Sequence, residues 1–337
     1  MLRICGDYIL ACLVLLPFAC QTPEKDFVSP TIQPEESLRG GLTQLLDLGA
    51  NRPAIHDHSL KQMGEKEDHW LYRLELYLDG GDTIPSYLLK PKGATAPYPI
   101  MICLQGHAPG MYVSIGEART ERDVRLIAGG RDIAAQAVAH GWAAITVEQR
   151  GFGEQTVGDL ECNHVALNHM MAGGSLLGRR VEDISIAIDF ITTQGDLNNE
   201  MIGIMGNSSG GTTSYFAACM DARIDLAIVS CSFCTYDRSW LKYPHCACGY
   251  VPNLLTLADM PELAALISPR HLLIVAGKED YLADIEGVRD GYSTAKQLYE
   301  VEENIRLVEG NGGHQFYPNL AWPIIDHFLE SKSFPKS

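Results

Sequence analysis

Beyond Tyr98 the chain alternates between two hydrophobic patterns. Short, nearly unbroken apolar runs at Tyr98–Leu104, Ala143–Val147, Met201–Gly206, Leu226–Cys231, His271–Ala276 and Ile305–Val308 read as strands. Between them, Asp132–His140, Ser175–Ile191, Thr212–Met220, Val288–Tyr299 and Trp322–Glu330 read as helices. A strand that is apolar along its whole length is buried on both faces, and strands separated by helices pair in parallel. The pattern predicts an α/β domain with a mostly parallel, twisted sheet of about eight strands and helices on both faces. Upstream, Trp70–Leu78, the turn Asp79-Gly-Gly-Asp82 and Ile84–Leu89 predict an antiparallel hairpin at the edge of that sheet, and Leu42–Leu48 a short helix. There is no internal repeat or low-complexity tract.

The N-terminus has a different character. Arg3 precedes an apolar run from Tyr8 to Ala19, too short to span a bilayer, which ends in Leu-Pro-Phe-Ala-Cys20. Residues 1–20 are therefore expected to be an export signal. Cys20 occupies the position that is lipidated in bacterial lipoproteins, although Asp7 and Pro17 depart from the usual pattern; an ordinary cleaved signal and an uncleaved anchor are the alternatives. On this reading residues 21–65 are a polar, proline-bearing tether with a short helical arm, and 66–337 are the folded domain. The protein would be exported and anchored by lipid, in the periplasm or at the cell surface.

Charge and cysteine content narrow the partners. Charged residues at 20% and hydrophobic residues at 46% give a 337-residue chain enough apolar material for a large core, and the net charge of −16 disfavours nucleic acid or an anionic membrane surface. The membrane would be reached only through the lipid. Of ten cysteines, Cys103, Cys162, Cys219, Cys231, Cys234, Cys246 and Cys248 belong to the body, an odd number that cannot all pair internally. Cys103 and Cys219 lie in apolar contexts and read as small buried hydrophobes. Cys231-Ser-Phe-Cys234 with His245-Cys246-Ala-Cys248 offers five soft ligands. Export favours disulfides or buried thiols for this group, with zinc and catalysis as the alternatives.

The candidate chemistry lies at strand ends. After the Met201–Gly206 strand comes Gly206-Asn-Ser-Ser-Gly-Gly211 and then a helix, the pattern of a turn that lifts Ser208 above a sheet. A strained residue there leaves no room for side chains two positions away, so Gly206 and Gly210 select Ser208 over Ser209. Asp280 follows the His271–Ala276 strand, and His314 follows Ile305–Val308. A strand-end Asp or a glycine-flanked His alone is an ordinary turn former. In the order Ser208, Asp280, His314 they supply a nucleophile, a carboxylate orienter and a base. Glu279 and Asp284 are neighbouring carboxylates that compete with Asp280 for its role. For an oxyanion, Ser209 N–H and the backbone N–H of His107 in Gln105-Gly-His107 are the expected donors. The His107 side chain either lines a pocket or packs. This chemistry calls for no cofactor and no metal. Residues 159–178 interrupt the alternation and form either a cap over the site or a surface excursion.

Six segments carry a family resemblance: Gln105-Gly-His107, Glu148-Gln-Arg-Gly-Phe-Gly-Glu154, Gly178-Arg-Arg-Val-Glu-Asp183, Gly206-Asn-Ser-Ser-Gly-Gly211, Gly277-Lys-Glu-Asp280 and Gly313-His314. Together they resemble bacterial α/β-hydrolases of the acetyl xylan esterase and dienelactone hydrolase-like group. The resemblance spans about residues 98 to 316 and implies the α/β-hydrolase fold. It departs from the family pattern at Gln105, where His is common, and at Glu148, where Asp is common. Arg150 and Glu154 are placed to bind one another or a neighbouring loop. Dienelactone hydrolases proper use cysteine, so Ser208 implies a serine esterase acting on a carboxylic ester, such as an acetylated or otherwise esterified carbohydrate. The alternatives are a serine peptidase of the prolyl oligopeptidase type, whose propeller the short N-terminal region cannot hold, and a non-catalytic carbohydrate-binding protein on the same fold. Oligomeric state is not encoded in any of these features.

Overall fold

In a computed structural model, residues 34–49 and 52–335 are described. The expected signal, Cys20 and residues 21–33 lie outside them. Among the described residues nine strands form one sheet: β1 (Ile55–Glu65), β2 (His69–Leu78), β3 (Thr83–Pro91), β4 (Tyr98–Leu104), β5 (Ala143–Val147), β6 (Leu197–Asn207), β7 (Leu226–Ser230), β8 (His271–Gly277) and β9 (Ile305–Gly310). Their spatial order is β1-β2-β3-β5-β4-β6-β7-β8-β9. The three pairings from β1 to β5 are antiparallel, and the five from β5 through β4 to β9 are parallel.

Side-chain alternation along the central strands fills two cores. Ile100, Ile102 and Leu104 of β4 and Leu272, Ile274 and Ala276 of β8 face one core; Met101, Cys103, Leu273 and Val275 face the other. The first core is closed by α1 (Glu35–Leu45), α5 (Leu176–Thr193), α6 (Ser209–Met220), the short α7 (Met260–Leu263) and α8 (Ile285–Leu298). The second is closed by α3 (Ile133–Ala139) and α9 (Pro318–Ser331). Helices thus cover both faces, as the apolar strands require.

The sheet extends further than the alternation predicts. β1 lies where a tether and helical arm are expected. Its side chains are mostly exposed, so it carries no apolar run. The β2–β3 hairpin is consequently interior, because β1 pairs with β2 and β3 pairs with β5. Helix α1 begins at Glu35, ahead of Leu42, and buries Leu38 and Leu42. Burial of each such leucine stabilises by roughly 2 kcal/mol. An unexpected α2 (Glu121–Ala128) is started by a capping box, in which Thr120 accepts from the Asp123 N–H and the Asp123 carboxylate accepts from the Thr120 N–H. The 159–178 excursion contains α4 (Cys162–Met171). Because β4, β6, β7, β8 and β9 run in parallel, the loops beyond their C-terminal ends share one edge of the sheet.

Candidate active site

β6 passes into α6 through one residue, Ser208, held at φ 59° and ψ −126°. A non-glycine residue in that region stores on the order of 1–3 kcal/mol, so its neighbours must over-determine it. They do so by close approach. A Cβ on Gly206 would lie 2.3 Å from the Gly210 carbonyl carbon, and one on Gly210 would lie 2.1 Å from Leu104 O. The Ser208 N–H donates to Ser230 O at 2.8 Å, and Thr212 N–H donates to Ser208 O at 2.9 Å. The neighbouring Ser209 is differently committed: its Oγ accepts from Arg180 Nη1 at 2.8 Å.

Asp280 and His314 meet directly. The Asp280 carboxylate accepts from His314 Nδ1, with Oδ2 at 2.8 Å and Oδ1 at 3.0 Å, and both side chains are at least nine-tenths buried. A carboxylate accepts, so Nδ1 is the donor in this contact, and in the neutral imidazole Nε2 is then the nitrogen with the lone pair. Nε2 is buried and has no partner. It is not hydrogen-bonded to Ser208 Oγ, a contact that commonly tightens only when substrate binds. Ser208, Ser209, His107 and His314 line one cavity of about 490 Å³. The competing carboxylates are elsewhere: Asp284 caps α8 and pairs with Lys242 and Arg238, whereas Glu279 makes backbone contact with Gly312.

The Gln105–His107 loop, expected to carry an oxyanion donor, lies against the turn. A Cβ on Gly106 would lie 2.7 Å from Asn207 O and 3.1 Å from Ser208 Cβ, so only glycine lets residues 105–107 approach so closely. Ser209 opens α6, where backbone N–H groups lack intrahelical acceptors. The His107 ring lines the cavity edge-on to Phe152 at 5.1 Å.

The Glu148–Glu154 segment supports both loops. Glu148 is buried and accepts from Gln105 Nε2 at 2.5 Å, Met111 N–H at 3.1 Å and Glu154 N–H at 3.4 Å; burial pushes its carboxyl up to about 7. Gln105 and Glu148, the two departures from the family pattern, thus contact one another. Arg150 grips Asp183 at 2.7 and 2.9 Å and Asp82 at 2.7 Å, and Glu154 pairs with Arg73, so both bind neighbouring segments rather than each other. Arg180 is buried, stacks over Phe152 at 4.4 Å and donates to Arg150 O as well as to Ser209.

Two cavity residues, Trp240 and Arg131, carry no signal in the sequence. Trp240 stacks on His245 at 4.2 Å, and burial lowers the His245 pKa. Arg131 Nη2 donates to His314 O at 3.2 Å. Isolated aromatic and basic residues in irregular loops have no periodicity to mark them.

The five soft ligands are not brought together. Cys231 Sγ donates to Gln315 O at 3.2 Å beside the Asp280–His314 pair, and Cys234 Sγ contacts Asp284 O at 3.7 Å. Cys246 and Cys248 instead meet Cys162 and His107. All seven body cysteines are free thiols, and Cys103 and Cys219 are buried as expected.

No family model matches the chain. It is 26% identical over 286 residues to "Putative hydrolase YtaP" of Bacillus subtilis (strain 168), an alignment covering 80% of this chain and 89% of that protein. Among solved structures it resembles acetyl xylan esterase 1 from Thermoanaerobacterium sp. JW/SL YS485, with TM-score 0.63, 17% identity, and 91% of this chain and 98% of that one covered. A CE15 glucuronoyl esterase from Teredinibacter turnerae T7901 also superposes, with TM-score 0.63, 16% identity, and coverage of 88% and 84%. At these identities the structural likeness establishes the fold.

Proposed function

We propose that this chain, an α/β-hydrolase by fold, is a serine esterase that cleaves carboxylic esters of carbohydrates through an acyl-enzyme. The observation that carries the reading is the buried Asp280–His314 pair: His314, its Nε2 left unpartnered among the described residues, lines the same cavity as Ser208. Ser208 Oγ attacks the ester carbonyl carbon as His314 Nε2 takes its proton. Asp280 stays ionised and stabilises the imidazolium. Backbone N–H groups of Ser209 and His107 receive the negative charge that develops on the carbonyl oxygen. When the tetrahedral intermediate collapses, the C–O bond to the alcohol breaks and His314 returns the proton to that alcohol. Water, deprotonated by the same nitrogen, then releases the acid and regenerates Ser208.

Several features favour an esterified carbohydrate as the substrate. The solved structures that it resembles include esterases of xylan and of glucuronoyl groups. Trp240 and the exposed Tyr281 offer aromatic surface at the cavity, on which a sugar ring can lie. Residues 34–97 build α1 and three strands of the sheet rather than a propeller.

Ser208→Ala is expected to lower p-nitrophenyl acetate hydrolysis by at least about 10⁴-fold without changing Tm. Retained turnover would refute the assignment, and failure of a fluorophosphonate probe to label Ser208 would favour a non-catalytic carbohydrate binder. Rates on acetylated xylan, aryl esters, sugar uronate esters and short peptides would identify the acyl and alcohol groups. We further propose export with lipid attached at Cys20; metabolic labelling with a radioactive fatty acid should mark the wild type and not Cys20→Ala, and labelling of both would exclude it.

A further inference from the structure

Among the described residues, reactive side chains also converge, away from the Asp280–His314 pair, at His107, Cys162, Cys246 and Cys248. One imidazole nitrogen and three sulfurs all lie within 4.8 Å of one another. Cys162 Sγ is 3.2 Å from Cys246 Sγ, and Cys248 Sγ is 3.4 Å from His107 Nε2. A tetrahedral zinc with bonds of about 2.3 Å to sulfur and about 2.0 Å to nitrogen sets its ligand atoms roughly 3.5–3.8 Å apart. The four atoms therefore need shifts of only a fraction of an ångström to about one ångström. A Cys162–Cys246 disulfide would need those sulfurs at about 2.0 Å, and would leave Cys248 and His107 facing each other without a role.

We propose that His107, Cys162, Cys246 and Cys248 bind one zinc ion as a closed Cys3His site. The three thiols bind as thiolates, each releasing its proton to solvent, and His107 binds as the neutral imidazole. With four protein ligands no position remains for water, so the ion is structural. It joins three segments that no strand pairing connects: the loop after β4, the first turn of α4 in the 159–178 excursion, and the 3₁₀ turn Ala247–Gly249 beyond β7. Asn163 Oδ1 already accepts from the Ala247 N–H at 2.8 Å along the same seam. Cys248 Sγ also lies 3.8 Å from Ser209 Oγ, so the ion would fix the oxyanion loop and the cavity wall relative to the nucleophile turn. The His107 side chain thereby gains a role distinct from its backbone N–H.

The test is metal analysis of the full chain, purified under nitrogen without chelator. Inductively coupled plasma mass spectrometry should find one zinc per chain, retained in Ser208→Ala, where hydrolysis is lost, so this site stands or falls separately from the hydrolytic reading. Cys246→Ser and Cys248→Ser should each lose the zinc. Should those variants fail to fold, cobalt exchanged into the wild type should give thiolate-to-cobalt charge transfer and the intense visible bands of a tetrahedral ion. Wild-type protein that holds no zinc and takes up none when it is added would overturn the proposal. So would peptide mapping that finds Cys162 linked to Cys246 in the native protein.

Discussion

Asp280→Asn exchanges one carboxylate oxygen for an amide of nearly the same size. In the wild type that carboxylate accepts from His314 Nδ1 at 2.8 and 3.0 Å and from the Leu282 N–H at 2.9 Å. In the proposed reaction, proton transfer from Ser208 makes His314 an imidazolium, and the buried carboxylate stabilises it. At a charge separation of about 4 Å and an effective dielectric of about 20, that attraction is about 4 kcal/mol, or roughly 10³-fold in rate. The amide NH2 also favours the tautomer with its proton on Nε2, which cannot act as the base. We therefore expect kcat on p-nitrophenyl acetate to fall about 10³- to 10⁴-fold. KM should change less than about threefold, because Asp280 does not line the cavity. The control is Asp284→Ala, which removes the cap of α8 and should cost about 1 kcal/mol of stability, read by urea denaturation, with kcat within about twofold. If Asp280→Asn keeps more than about a tenth of kcat, or Asp284→Ala loses as much activity, the carboxylate has been misassigned.

Two further perturbations probe the scaffold. Gly106→Ala places a Cβ 2.7 Å from Asn207 O and forces the oxyanion loop away from Ser208, so kcat should drop at least about tenfold and Tm should fall; steady-state kinetics and a thermal melt check both. His271 lies between Phe328 and Phe334, and burial lowers its pKa from 6.5 to about 4. The unfolded chain therefore takes up this proton before the folded one. The contribution of His271 is fully present above pH 6.5 and is lost as the pH falls toward about 4. Melts across that range should show a shallower decline for His271→Leu than for the wild type, and identical slopes would exclude this origin.

How much of the fold the chain displays depends on what each element buries. β5 and β7 are buried at every position, so their apolar runs coincide with the strands to within a residue. β8 is marked in the same way, with a half-buried His271 at its start and a glycine at its end, whereas β9, at the sheet edge, buries only Ile305 and Gly310 and is marked by its short run of Ile305, Leu307 and Val308. β1 pairs along its length with β2 yet leaves most side chains exposed; backbone hydrogen bonding holds it, and that leaves no trace in side-chain composition. α2 is likewise held by its cap rather than by an apolar face, for the only side chain it buries is Asp123. An alternation of apolar runs finds what is buried on two sides and misses what is held by the backbone.

The same division runs through the site. Ser208, Asp280 and His314 stand just past apolar strands with glycines nearby, so local pattern and topology together locate them. The cysteines obey no such rule, and grouping them by nearness along the chain pairs Cys231 with Cys234 and joins both to Cys246 and Cys248. β7 ends at Ser230, and Cys231 turns there at φ 51° into the space beside Asp280 and His314. Burial pushes its thiol up to about 12, which keeps it protonated and no rival to Ser208. The chain then runs past α8, where Cys234 is left, before it returns over the cavity with Cys246 and Cys248. Their partner Cys162 starts the helix of the excursion between β5 and α5, and His107 lies on the oxyanion loop. Three segments that read separately as an oxyanion donor, a surface excursion and a disulfide pair therefore converge on one point. The excursion thus has a reason for its position that neither a cap nor a surface loop supplies: it brings a sulfur to the loop that carries His107.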